Sequence, residues 1–141
     1  MKSFNEILDG RLWGLMRWEQ WDGLRRQMVE GGEPWYFYAV GEDLPSAPLA
    51  GAALNTALEA LDALLRNDHR DSHLGIVYVD DLAAPSFVKI YDPHHMGGCG
   101  GGSSLPGWTI SRLAPEIIPH GPVRPENRRR WWRELQAKLA A

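Results

Sequence analysis

Leu74-Gly-Ile-Val-Tyr-Val79, followed by Asp80-Asp-Leu-Ala-Ala-Pro-Ser86 and Phe87-Val-Lys-Ile-Tyr91, is the stretch that decides the fold. Two runs rich in β-branched and aromatic residues flank a short connection carrying Asp80, Asp81 and Pro85. That pattern predicts two strands joined as an antiparallel hairpin. The end of the second strand then lies beside the beginning of the first.

Working outward from the hairpin, the chain continues Asp92-Pro-His-His-Met-Gly-Gly-Cys-Gly-Gly-Gly-Ser-Ser-Leu-Pro-Gly-Trp108. Residues 93–107 form a Gly-rich loop of a length that is functional or disordered in compact domains. Pro106-Gly107 suits the centre of a type II turn and introduces a further strand, Trp108 to Arg112. Residues 114–124, with Pro115, Pro119 and Pro122, read as an extended arm that regular helix and central strand both exclude. A basic helix closes the chain over 125–140, with Pro125 in its first turn and Trp131, Trp132, Leu135 and Leu139 as apolar positions.

On the other side of the hairpin, Leu54, Ala57, Leu58, Leu61 and Leu65 make a continuous apolar stripe. The helix that carries it is expected to start at an N-cap Ser46, to hold Pro48 in its first turn and to end at Asn67-Asp68. Trp35 to Val40 is a strand with apolar residues on both faces, internal to the sheet or covered on both sides. Residues 11–30 have helical spacing in Leu12, Leu15, Met16, Trp18, Trp21, Leu24 and Met28, weakened at Gly14 and Gly23.

These elements predict one domain over 1–141, with a β-α-β-β-β core at 34–113. The fold class is α+β in two layers: a mainly antiparallel four-stranded sheet with one βαβ crossover, packed by the long middle helix and by terminal helices.

Cys99 is the only cysteine, which excludes an intramolecular disulfide, and Met1 to Gly14 lacks the pattern of a secretory signal. No apolar run approaches the roughly 20 residues that span a bilayer. A soluble, cytoplasmic protein is expected. With 15 Lys and Arg against 18 Asp and Glu the net charge is −3, so nucleic acid is disfavoured as a partner. The tail reverses that sign: Arg128, Arg129, Arg130 and Arg133 surround Trp131 and Trp132. Cationic and aromatic groups mixed in this way suit an acidic surface on a partner protein or on a second copy of the chain.

The hairpin also gathers chemistry. It brings His94, His95 and Cys99 to the sheet edge that holds His69 and His73. Imidazole and thiolate are ligands for zinc and similar transition metals, and Asp92, His94, Cys99 and His73 form a conceivable set, although their spacing matches no zinc pattern. A phosphate cradle is disfavoured because a strand follows the glycines and no Lys-Ser or Lys-Thr pair does. Cys99 among glycines would be an accessible thiol, yet no nucleophile motif surrounds it.

The expected function is that of a small accessory or regulatory protein, without catalytic residues or a cofactor. It would act by protein binding through the loop (His94, His95, Cys99, Trp108) and the Trp/Arg-rich termini. The alternative is a metal-handling or thiol-redox protein with its site at 92–99.

Overall fold

The computed structural model describes residues 2–95, 105–118 and 125–140. In chain order these form α1 (Phe4–Leu8), β1 (Trp13–Leu15), α2 (Trp18–Glu30), β2 (Tyr36–Ala39) and α3 (Gly51–Asp68). There follow β3 (Val77–Val79), β4 (Phe87–Ile90), a 3-10 turn (Pro93–His95), β5 (Trp108–Ser111) and α4 (Glu126–Ala140). The class is α+β, with four α-helices and a five-stranded sheet among the described residues.

The hairpin forms as its sequence predicts, Val77 opposite Ile90 and Val79 opposite Val88. The remaining pairings correct the expected topology. Strand order is β1-β3-β4-β5-β2, and every neighbouring pair is antiparallel, so among the described residues the sheet has five strands and no parallel βαβ crossover. β5 pairs with β4 on one side and with β2 on the other. It thereby separates β2 from β3, the two strands that α3 connects.

The fifth strand comes from the segment expected to be helical from Arg11. Around Gly14 only Leu15 turns into the core while Trp13 stays exposed, and the segment pairs with β3. Helix begins at Trp18, where the Gln20 side-chain carbonyl accepts the Met16 and Arg17 N–H groups, both at 3.0 Å. Gly14 suits its place: a Cβ there would lie 3.0 Å from Cε2 of Tyr78, tighter than an ordinary contact with the ring that covers the glycine.

α3 also starts later than expected, at Gly51 rather than near Ser46. Leu49 instead exchanges two backbone hydrogen bonds with Trp35, at 2.8 and 2.7 Å, which holds this approach in extended form. The helix does end at Asp68.

One face of the sheet carries the main core. Leu15, Val77, Val79, Val88, Ile90, Trp108 and Ile110 meet Trp21, Leu24 and Met28 of α2, the leucine stripe of α3, and Trp132 and Leu135 of α4. The other face has a smaller cluster of its own, where Phe4 and Leu8 of α1 pack with Tyr38, Val40, Phe87 and Ile118. β2 is therefore covered on both sides, and helices flank both faces rather than one. α1 is fixed by a capping box, the Ser3 hydroxyl accepting the Glu6 N–H and the Glu6 carboxylate accepting the Ser3 N–H.

Candidate functional site

The ends of α3, β4 and α4 meet at one corner. Asp92 leaves β4, turns inward and accepts the His94 N–H at 3.0 Å, which sets the 3-10 turn. Gly107 crosses directly against it, since a Cβ at Gly107 would lie 3.1 Å from that of Asp92. The Gly107 N–H also donates to the Ile90 carbonyl at 2.8 Å. Both ends of the Gly-rich loop are thus tied to the same residues.

Arg128, in the first turn of α4, fills this corner with a side chain only 4 % exposed. Its Nε donates to Asp92 Oδ2 at 2.7 Å and its Nη2 to Asp92 Oδ1 at 2.9 Å. Nη2 also donates to Oδ2 of Asp68, the last residue of α3, at 2.7 Å. The guanidinium carbon lies 5.9 Å from the centre of the Trp108 ring. A buried guanidinium of this kind is held only when its donors are met in planar, paired geometry, which two carboxylates supply.

Helix polarity works against both partners. Asp68 sits at a negative helix end and Arg128 at a positive one, so their pairing offsets unfavourable dipole interactions as well as desolvation. Desolvation pushes the Asp68 carboxyl up, but the hydrogen bonds from Arg128 and Asn67 and the charges of Arg128 and His94 outweigh it. They hold the group below the usual carboxylate range. Desolvation likewise opposes the Arg128 charge, while Asp92 and Asp68 raise its affinity for its proton further. On the solvent side His94 Nε2 stands 3.3 Å from Asp68 Oδ2.

Beside this cluster a groove of about 390 Å³ runs between α3 and α4. Ala60, Leu64 and Asn67 line one wall, and Asn127, Arg130 and Trp131 the other.

The expected partner-binding residues divide sharply. Trp132 is buried with its ring stacked on Phe37, centroids 6.0 Å apart and planes 7° from parallel. Trp131 is half-buried and meets Trp108 edge-on at 5.9 Å, and Trp108 itself is fully buried in β5. Arg128 is committed to its carboxylates. Arg129, Arg130 and Arg133 are exposed, Arg133 donating to Glu126 at 2.7 Å.

No family model, curated protein or solved structure matches this chain.

The expected metal set is not brought together by what the structure describes. Asp92 gives both oxygens to Arg128, His73 is exposed on the turn after α3, and Cys99 and the side chain of His95 lie outside the described residues. Among the described residues no group of three or more His, Cys, Asp or Glu side chains is arranged to hold a metal ion. His69 braces its own turn, donating from Nε2 to the Leu74 carbonyl at 2.6 Å. No helix among the described residues is long and apolar enough to cross a membrane.

Asp68 is the member of the cluster that sequence reasoning missed as a site residue. Its one signal is an acidic side chain at the C-terminus of a long helix, where a cation is the favoured neighbour.

Proposed function

We propose that this chain is a small accessory protein that binds an acidic surface of another protein through the exposed arginines of α4, with the Gly-rich loop beside them. One observation carries the reading. Arg128 and the two tryptophans lock α4 down from within, and Arg129 and Arg130 are left in solvent with no ion pair among the described residues. A rigid helix presenting exposed cations loses little backbone entropy on docking and steers toward negative charge. The loop supports the same location, since Asp92, His94 and Gly107 fix its two ends next to the start of α4.

The test uses tagged full-length chain at native abundance in its own host, compared with the Arg129→Glu, Arg130→Glu double variant. A protein retained by the wild type and lost both from the variant and at high salt is the expected outcome. An unchanged set of retained proteins, with the variant folded, would sink the reading.

The metal or thiol-redox alternative rests on His94 facing Asp68 at the start of the loop that holds Cys99. Native mass spectrometry with and without a chelator separates the two. A stoichiometric ion that disappears on His94→Ala favours the alternative.

A further inference from the structure

α4 carries a carboxylate among its own exposed cations. Glu126, in the first turn, accepts a hydrogen bond from Nη2 of Arg133 at 2.7 Å, two turns further along the helix. Arg129 and Arg130 follow Glu126 by three and four residues, and residues at these spacings share one helix face. All four residues are exposed, whereas Arg128, Trp132 and Leu135 face inward. The Arg133 hydrogen bond and charge, with smaller contributions from the charges of Arg129 and Arg130, hold the Glu126 carboxyl below the usual carboxylate range.

We propose that Glu126 is an internal stand-in for the partner's acidic group, holding Arg133 until a run of acidic side chains on the partner displaces it and takes Arg129, Arg130 and Arg133 together. This inference rests on the acidic-surface reading above and narrows it: Arg133 joins the docking face, and the partner must offer clustered carboxylates. A carboxylate tethered to its own helix acts at an effective concentration on the order of millimolar, which an isolated carboxylate on a partner does not outcompete. A run of carboxylates does, because it gains Arg129 and Arg130 at the same time, and neither has an ion pair among the described residues. Breaking the internal pair costs little. The side chains of Glu126 and Arg133 are 70 % and 61 % exposed, and ion pairs so exposed contribute little to stability. The contact therefore selects partners by their density of negative charge and does not hold the fold together.

The test is fluorescence anisotropy of a labelled decaglutamate peptide titrated with the full chain at low salt. Glu126→Gln should bind it about threefold more tightly than the wild type. Glu134→Gln removes the same charge from an exposed position on α4 that makes no ion pair among the described residues, and its gain should be clearly smaller. In an Arg133→Gln background the gain from Glu126→Gln should vanish, since the stand-in then has no cation to release. All the substituted side chains are exposed, so far-ultraviolet circular dichroism should be unchanged throughout. Equal gains from the two glutamine variants, or a gain that persists without Arg133, overturns the proposal and leaves the acidic-surface reading standing. Absence of binding by both the wild type and Glu126→Gln also overturns it, and retention of a protein partner by Arg129 and Arg130 then decides the acidic-surface reading separately.

Discussion

Arg128 holds Asp92 with both arms of its guanidinium fork, Nε on Oδ2 at 2.7 Å and Nη2 on Oδ1 at 2.9 Å. This contact joins the N-terminus of α4 to the end of β4 and, through Asp68, to the end of α3. Arg128→Met leaves two carboxylates buried or half-buried without their cation, and such a loss costs about 3–5 kcal/mol. Urea unfolding should show that drop, and Arg128→Lys should recover only part of it, because an ammonium cannot bridge both oxygens in the plane. An Arg128→Met chain with wild-type stability would show that the cluster does not hold the corner together.

Acid should weaken the same corner. The folded-state pKa of Asp68 is lowered, so its stabilising contribution is complete above the unfolded value of about 3.9 and is lost as pH falls through the folded value. The urea midpoint, followed from neutral pH to about pH 3, should fall on the acid side. Asp68→Asn should flatten that fall. Parallel curves for the two proteins would assign the acid sensitivity elsewhere, Asp22 being a second carboxyl lowered by arginines.

Trp132 and Arg129 are sequence neighbours of the same basic segment with opposite expected roles. Trp132→Ala removes a buried ring stacked on Phe37 and should cost about 3–5 kcal/mol of stability. Arg129→Ala, at an exposed position, should stay within about 0.5 kcal/mol of wild type. Calorimetry of the two variants decides the matter, and equal effects would contradict the division of α4 into an inner and an outer side.

Gly14→Val should cost roughly 1–3 kcal/mol, because the new side chain meets the Tyr78 ring. That ring cannot easily retreat: it packs edge-on against Tyr91 at 5.6 Å and lies under the Lys89 ammonium at 5.7 Å. Combining Gly14→Val with Tyr78→Ala should therefore cost less than the sum of the two. Additive costs in the double-mutant cycle would show that ring and glycine are not in steric competition.

What could be read from the residues followed the range of the signal. The leucine stripe of α3 and the runs that become β4 and β5 are local periodicities, and each element lies close to where its sequence predicts. β1 was hidden because Leu12, Leu15 and Met16 have helical spacing. Only pairing with β3, more than sixty residues away, makes the segment a strand. Strand order failed for the same reason, since β2 finds its partner in β5 across most of the chain. The corner cluster illustrates the limit most clearly. His94 stands beside Asp68 at the end of α3, but Arg128 reaches Asp92 from 36 residues away and Asp68 from 60, and no motif spacing encodes such a meeting. The basic run looked uniform in sequence, although its first arginine is buried and the next two are not.

The position of β2 bears on how the chain is made. Phe37 lies opposite Ile110 and beneath Trp132, so the aromatic run Trp35 to Val40 emerges from the ribosome well before either neighbour exists. At typical synthesis rates it waits roughly 4 to 15 s for β5. During that interval a strand-favouring segment lacks the strand it pairs with, and any chain cut short before Trp108 never acquires it. Nascent and truncated forms of this protein therefore lack the strand and the ring that pack against this run in the folded chain.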